Sequence, residues 1–155
     1  MNNHKAEIVI NAVSENEAFA RVVAAAFVTK LDPTIEEMAD IKTAVSEAVT
    51  NSIIHAYDNK GGIIKIELEI KDDVFYVDVI DYGMGIENVK KAMEPMFTTL
   101  DSGERSGMGF VFMEAFMDEL NVSSIVGEGT RVHMKKRIGS VSDTATEVAL
   151  HGTKR

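Results

Sequence analysis

The sequence contains no cysteine and no tryptophan, and it has only 2 prolines. Without cysteine the chain can form neither a disulfide framework nor a thiolate metal site, which fits a reducing compartment. No apolar run approaches the roughly 18 residues that cross a bilayer, and residues 1–4 lead into a polar, charged stretch rather than a signal peptide. Basic residues are also few: 16 Lys and Arg face 25 Asp and Glu, giving a net charge of −9, which disfavours nucleic acid as a partner. We therefore expect a cytoplasmic protein with no nucleic-acid or membrane partner.

The residues that are present have the composition of an ordinary globular domain, 45% hydrophobic and 26% charged over 155 positions. A chain of this length predicts one domain with one core. We place that domain at residues 1–138. From Gly139 onward the sequence is polar and aperiodic, which predicts a disordered C-terminal tail over 139–155.

Hydrophobic periodicity predicts a strand at residues 8–11, followed by a helix that is apolar on both sides. Ser14 is its expected N-cap, with Glu17 completing a capping box. The expected core stripe of this helix consists of Phe19, Val22, Val23, Ala26 and Phe27. The opposite side is apolar through Ala20, Ala24 and Val28. Because a helix that is apolar all round is buried on both sides, we expect its outer face to contact another chain; the alternative is burial in the middle of the domain.

The second helix is predicted to begin at Asp32, its N-cap, with Pro33 as its first residue, and to end near Tyr57. Alternation then predicts an antiparallel hairpin of strands at 64–71 and 75–79. A short helix over 87–94, a loop over 96–108, a helix from Phe110 to Leu120 and a hairpin of strands 121–126 and 130–138 follow. Strands with one wet face and helices with one apolar face predict an α/β (α+β) two-layer sandwich. Its sheet should be mixed, mostly antiparallel, with helices on one face.

Four short segments, at residues 46–51, 81–85, 103–110 and 127–130, carry the candidate chemistry. In the first, Glu47 and Asn51 are four residues apart and share one helix face. Asn51 offers a neutral amide oxygen, a suitable ligand for Mg²⁺, and Glu47 can take a proton from an attacking hydroxyl or water. The alternative is a solvated polar face. His55 continues the row, and there the expected role is contact with the carbonyl groups of the helix C-terminus.

In the second segment, alternation places Asp81 on the buried face of its strand, beside Val77 and Val79. A buried carboxylate is costly unless it is paired or hydrogen-bonded. No cation lies near it in the sequence, and a nucleotide base with an exocyclic amino group would satisfy it. Gly83 and Gly85 allow close backbone approach. The alternative is a plain turn aspartate.

The third segment places Gly107, Met108 and Gly109 before a helix, where free N–H groups bind phosphate and glycines let the backbone close on it. Arg105 and Ser106 supply a cation and a hydroxyl beside that turn. This glycine pattern alone is neither a P-loop nor a dinucleotide fingerprint. The order and spacing of all four segments together predict a site that holds a nucleotide and acts on its terminal phosphate.

These four segments resemble the N, G1, G2 and G3 boxes of the GHKL superfamily of ATP-binding domains, which share the Bergerat α/β sandwich. Residues 14–21, 31–34, 53–57 and 95–99 are also similar to the small anti-sigma-factor kinases, and the resemblance spans about residues 5–138. Within that group the flanking segments favour the sporulation branch, which inhibits sigma-F, over the stress-response branch, which inhibits sigma-B.

The resemblance implies an ATP- and Mg²⁺-dependent protein serine kinase that also sequesters a sigma factor, phosphorylates an anti-anti-sigma protein on serine and forms a homodimer. It implies Glu47 as the general base, Asn51 as the Mg²⁺ ligand and Asp81 as the acceptor of the adenine amino group, with Thr130 near the same base. The implied nucleotide-site residues are Gly83, Gly85, Thr98 and Thr99. The implied phosphate-enclosing residues are Arg105, Ser106, Gly107, Met108 and Gly109. Arg105 would also stabilise developing charge, and Arg21 would meet protein partners.

Two other classes of function are weaker alternatives. A multidomain ATPase of this fold needs further domains, and a sensor histidine kinase needs a phospho-accepting histidine on a dimerising helical hairpin. The histidines are His4, His55, His133 and His151, and none has that context. A non-catalytic module that uses ATP only structurally is disfavoured because both Glu47 and Asn51 are present.

Overall fold

The computed structural model describes residues 3–95 and 108–139, where five strands and four α-helices form two layers. The strands are β1 (Asn3–Asn11), β2 (Ile63–Lys71), β3 (Val74–Asp81), β4 (Glu119–Ile125) and β5 (Gly129–Arg137). The helices are α1 (Glu15–Val28), α2 (Ile35–Asn51), α3 (Val89–Ala92) and α4 (Gly109–Phe116). A 3₁₀ turn at Thr29–Leu31 follows α1, and a π-helical turn at Ser52–Ala56 continues α2.

The sheet has the order β1-β2-β3-β5-β4, and each of these four neighbouring pairs is antiparallel. The two-layer architecture and the β2–β3 hairpin agree with the prediction. The expected mixed sheet, however, contains no parallel pair among the described strands. The register places Asp81 between Ile64 of β2 and Thr130 of β5, so the fourth of the candidate segments lies beside the second.

One face of the sheet and one side of α2 form the core. Along β2 and β3 the inward side chains are almost completely buried, and they are Ile64, Ile66, Leu68, Ile70, Phe75, Val77 and Val79. Ile41, Val45 and Ala48 of α2 belong to the same cluster. Burial of each large side chain contributes about 1.5–3 kcal/mol. Because alternate residues point to opposite faces, the same strands carry Lys65, Glu67 and Asp78 on the open face.

Helix α1 buries the side opposite to the predicted stripe. Ala20, Ala24 and Val28 are at most 1% exposed, whereas Phe19 and Val22 are 52% and 61% exposed. The reason lies in the neighbouring element: α1 packs mainly against α2, and alanines allow two helices to approach closely. The predicted core stripe is therefore wrong for Phe19, Val22 and Ala26, although Phe27 is buried.

The predicted start signals of both long helices also need correction. Ser14 precedes α1 but makes no capping hydrogen bond with its side chain, since its backbone is helical (φ −57°, ψ −32°) rather than extended. The Glu17 carboxylate, which would complete the capping box, instead accepts a hydrogen bond from the Ser46 hydroxyl of α2. The N-cap of α2 is Thr34 rather than Asp32, and it forms a complete capping box with Glu37. Asp32 has φ of 52° and ends the preceding turn, a conformation unlike the extended backbone of an N-cap.

Other element ends shifted as well. Helix α3 is shorter than predicted, with Asn88 accepting a capping hydrogen bond from the Lys91 N–H. Helix α4 ends at Phe116, and Leu120 belongs to β4 rather than to the helix. The chain leaves the helix there because Asp118 N–H donates to Lys135 O of β5 and the sheet ladder begins. Apart from Met108 and Gly139, the predicted loop over 96–108 and the predicted tail lie outside the described residues.

Candidate functional site

An open cavity of about 1120 Å³ lies between the end of α2, the turn after β3, α3, the start of α4, and strands β4 and β5. Its lining includes one or more described residues from each of the four candidate segments, namely Asn51, Asp81, Gly85, Gly109 and Thr130. His55, Glu87 and Lys91 add polar groups to the lining. The fold thus brings together segments that are up to 79 residues apart in the sequence (130 − 51).

Asp81 is the buried carboxylate of this cavity, with an exposed fraction of 5%. Its Oδ1 accepts the N–H groups of Gly83 and Thr130, both at 3.1 Å, and its Oδ2 accepts the Ser52 hydroxyl at 3.0 Å. A carboxylate offers about four acceptor positions, so one position remains, on Oδ2. Burial raises the pKa of Asp81, and the three hydrogen bonds oppose that rise. The geometry suits an amino donor entering from the cavity.

Ser52 is a site residue that sequence reasoning missed, because its spacing of four residues from Ala48 places it on the apolar side of the helix. It is 3% exposed and lies in the π-helical turn, in which the Tyr57 N–H donates to Ser52 O. Such i→i+5 turns occur frequently at functional sites. A serine among buried apolar positions, opposite a strand that ends in a buried aspartate, was the only available signal.

The turn after β3 requires its two glycines. A Cβ on Gly83 would lie 2.3 Å from Ala56 O, and Gly85 has φ of 77° with its Cβ position 2.4 Å from Ile125 O. The backbone of Met84 between them donates to Ala56 O at 3.0 Å and accepts from Gly127 N–H at 2.8 Å. This turn is therefore held between the end of α2 and the β4–β5 turn, and it carries the N–H that orients Asp81.

Tyr57 is a second residue that the sequence did not reveal. Its hydroxyl donates to Ile63 O at 2.5 Å and accepts the Tyr82 N–H at 2.7 Å. Burial raises the pKa of Tyr57, so the phenol keeps its proton at neutral pH and can donate. One side chain thus joins the end of the π-helical turn, the start of β2 and the turn after Asp81.

Glu47 and Asn51 face the first residue of α4. A Cβ on Gly109 would lie 3.1 Å from both Glu47 Oε2 and Asn51 Oδ1. The hydrogen at this position lets the start of α4, with its N–H groups, lie directly against a carboxylate and an amide oxygen. A helix N-terminus favours anions, and the amide oxygen is a hard donor of the kind that Mg²⁺ takes. The residues present therefore fit a phosphate–Mg²⁺ group.

The remaining predicted residues divide into two groups. Met108 directly precedes α4, Gly83 packs behind the cavity, and Arg21 lies on α1, where its guanidinium is 3.8 Å from Glu17. Arg21 is therefore not part of the cavity. The other predicted residues fall outside the described residues, and they are Thr98, Thr99, Arg105, Ser106 and Gly107. Among residues 3–95 and 108–139, no helix has the length and apolar character to cross a membrane.

Two solved structures share the fold of this chain. The RsbU and RsbW domains of a Mycobacterium tuberculosis protein align with a TM-score of 0.62 at 20% identity, covering 87% of this chain and 32% of that one. The catalytic domain of histidine kinase ThkA aligns with a TM-score of 0.55 at 18% identity, covering 87% and 96%. At these identities the likeness establishes the fold alone. It agrees with the two-layer Bergerat architecture expected from the sequence.

Residues 10–136 match the family model described as a histidine kinase-like ATPase domain. The curated relatives are more specific. A protein of Caldanaerobacter subterraneus subsp. tengcongensis is 60% identical over 137 residues, 88% of this chain and 96% of the relative, and one of Clostridium beijerinckii is 55% identical over 143 residues, 92% and 100%. Each of the two is named anti-sigma F factor. The chain belongs to the histidine kinase-like ATPase family and, within it, to the anti-sigma F factors.

Proposed function

We propose that the protein is an ATP-dependent protein serine kinase that also binds and inhibits a sigma factor of the sigma-F type. The observation that carries the catalytic part is the position of the Glu47 and Asn51 side chains directly against Gly109, the first residue of α4. Asn51 and Gly109 both line the cavity. Its phosphorylation substrate is an anti-anti-sigma protein. The names of the relatives support the sigma-factor part.

Binding of the nucleotide base is assigned to Asp81 and Thr130. The remaining acceptor position on Asp81 Oδ2 takes a hydrogen from the adenine amino group, and the Gly83 N–H and the Ser52 hydroxyl keep the carboxylate in place. Thr130 lies next to Asp81 in the cavity wall. Gly85 belongs to the turn after β3 and lies against Ile125 O, at the same end of the cavity as Asp81.

Phosphoryl transfer is assigned to the other end. Glu47 takes the proton from the serine hydroxyl of the substrate, as a positioned carboxylate does in general base catalysis. Asn51 would hold Mg²⁺ through its amide oxygen, and the ion supplies charge neutralisation of the phosphates. The N–H groups at Gly109 bind phosphate oxygens. Thr98, Thr99 and residues 105–108 complete the enclosure in this proposal, with Arg105 stabilising the charge that develops on the transferred group.

The partner surface is assigned to α1. The Arg21 side chain is 41% exposed, and Phe19 and Val22 expose apolar surface on the same helix.

We also propose a homodimer, because β1 is an edge strand of the sheet and Val9 is exposed on it. Sedimentation equilibrium distinguishes a dimer from a monomer. Sigma factors act on RNA polymerase, so we place the protein in the cytoplasm.

Incubation with labelled ATP, Mg²⁺ and the anti-anti-sigma protein tests the kinase. We expect label on a serine of that protein, and we expect the Arg21→Ala variant to bind ATP normally but to transfer label slowly, because its partner contact is weakened. ATP binding without any transfer would favour the non-catalytic module. Transfer that is equally fast with Arg21→Ala would remove this residue from the partner surface.

Replacement of Gly109 by alanine should slow transfer by about tenfold to hundredfold, because the new methyl group must displace Glu47 or Asn51 by a few tenths of an ångström. Thermal stability should not fall, since alanine is the better helix former. Single-turnover transfer and a thermal melt measure the two quantities. A wild-type transfer rate would show that the start of α4 does not set the geometry of this pair.

A further inference from the structure

Three hydrogen-bonding groups surround the hydroxyl of Ser124 in β4. Its Oγ accepts the Ile86 N–H at 2.7 Å, donates to Gly129 O at 3.0 Å and lies 2.8 Å from the Thr130 hydroxyl oxygen. Ser124 and Thr130 both line the cavity. Neither the sequence prediction nor the proposed mechanism uses Ser124.

The hydrogen count decides the direction of the Ser124–Thr130 hydrogen bond. A serine hydroxyl has one hydrogen and two acceptor positions. The Ile86 N–H can only donate and the Gly129 carbonyl can only accept, so the single hydrogen of Ser124 is used on Gly129 O. Thr130 must therefore donate its own hydrogen to Ser124. Its oxygen keeps acceptor positions only.

The consequence concerns the neighbouring Asp81, whose register partner is Thr130. The carboxylate of Asp81 is also an acceptor, and its remaining position is on Oδ2. Both side chains that face a base in this part of the cavity are then acceptors. Two acceptors attract an amino group and repel a carbonyl oxygen at the same position, and a site whose polar groups are left unmatched rejects an analogue strongly.

We propose that Ser124 is a positioning residue for base specificity: by holding the hydroxyl hydrogen of Thr130, it makes the site select 6-aminopurine nucleotides over 6-oxopurine nucleotides. This role rests on the proposed binding of ATP. The chemical pair that tests it is ATP and ITP: ATP has an amino group at C6 and an acceptor at N1, whereas ITP has a carbonyl oxygen at C6 and a hydrogen on N1. Because the two nucleotides differ at both atoms, the change in their affinity ratio between variants is the quantity compared.

In the Ser124→Ala variant, the hydrogen of Thr130 becomes available to a 6-oxo group. The ratio of the Kd for ITP to the Kd for ATP, measured by calorimetry, should fall by about tenfold. Ser123→Ala is the matched control, because Ser123 is the exposed neighbour on the same strand and lies opposite Arg131; its ratio should equal that of the wild type. Ser124→Thr retains the hydroxyl and should retain the ratio.

Thr130→Val gives an independent test, because the two possible roles of the Thr130 hydroxyl change the ratio of the Kd values for ITP and ATP in opposite directions. This test remains available if Ser124→Ala does not fold. Loss of a pure acceptor should weaken ATP more than ITP, whereas loss of a hydrogen aimed at the base would weaken ITP more. The second result, or an unchanged ratio in Ser124→Ala, overturns the role of Ser124 while ATP binding stands. A wild-type protein that binds neither nucleotide overturns this role and the proposed function together.

Discussion

The Asp81→Asn variant should lose ATP affinity by at least about 100-fold while its fold stays intact. Asparagine has the same shape, and its Oδ1 can accept the Gly83 and Thr130 N–H groups. Its amide nitrogen can donate to the Ser52 hydroxyl, which rotates to accept. The second amide hydrogen then points at the position of the adenine amino group, so two donors face each other. An unmatched buried donor costs about 1–3 kcal/mol, in addition to the lost hydrogen bond.

The stability of this variant has a defined pH dependence relative to the wild type. Burial raises the pKa of folded Asp81 above its ordinary value of 3.8. Between 3.8 and the raised pKa the folded protein binds more protons than the unfolded chain, so the wild type loses stability as the pH rises through this window. Asparagine has no such loss. The difference in melting temperature, Asp81→Asn minus wild type, should therefore rise as the pH is raised from about 3.5 to neutral.

Calorimetric titration with ATP and thermal melts at each pH measure both effects. Protonation of Asp81 also turns an acceptor into a donor, so wild-type ATP affinity should decrease as the pH falls towards the raised pKa. A variant that melts well below the wild type at neutral pH would mean that the carboxylate mainly supports the fold. ATP affinity within a few fold of the wild type would remove Asp81 from the base site.

The second large effect is expected from Glu47→Gln, which should lower phosphoryl transfer to the anti-anti-sigma protein by about 10²- to 10⁴-fold. Glutamine preserves the shape of the side chain beside Gly109 but cannot accept the serine proton. ATP affinity should remain within about threefold of the wild type, because the proposed contact with the adenine ring is made by Asp81, which lies on another element. Single-turnover transfer and equilibrium ATP binding provide the two measurements.

Glu36→Gln is the matched control for Glu47→Gln, because Glu36 is exposed and lies in the first turn of the same helix. Its transfer rate should equal that of the wild type. Undiminished transfer in Glu47→Gln would exclude this residue as the general base. Loss of ATP binding together with transfer would instead make Glu47 a structural support of the nucleotide site.

Hydrophobic periodicity predicted the β2–β3 hairpin and the face of each strand that is buried. The alternation in β2 and β3 is strict, so it correctly placed Asp81 on the buried face. For α1 the predicted core side was wrong, because both sides of the helix are apolar and the pattern does not distinguish them. Packing against α2 determines that Ala20 is buried and Phe19 is exposed. The periodicity within α1 contains no information about that neighbouring helix.

The site was predictable only in part for a similar reason. Glu47 and Asn51 are related by helix spacing and could be paired from the sequence. Ser52 and Asp81 are 29 residues apart, and Ile86 and Ser124 are 38 apart, so their hydrogen bonds depend on tertiary packing. The sequence around Ser52 or Ser124 does not distinguish a serine that hydrogen-bonds inside the site from a serine whose hydroxyl is solvated.

The π-helical turn at Ser52–Ala56 determines the tolerance of the chain to changes in length. It contains one more residue per hydrogen-bonded turn than the α-helix that it continues. Deletion of one residue there would restore α-helical phase and rotate the following segment about the helix axis by about 100°. Tyr57 would then lose Ile63 and Tyr82, and the turn that orients Asp81 would lose its support. Homologues with insertions or deletions should therefore keep this turn at constant length and vary instead at surface turns such as Asp72–Asp73.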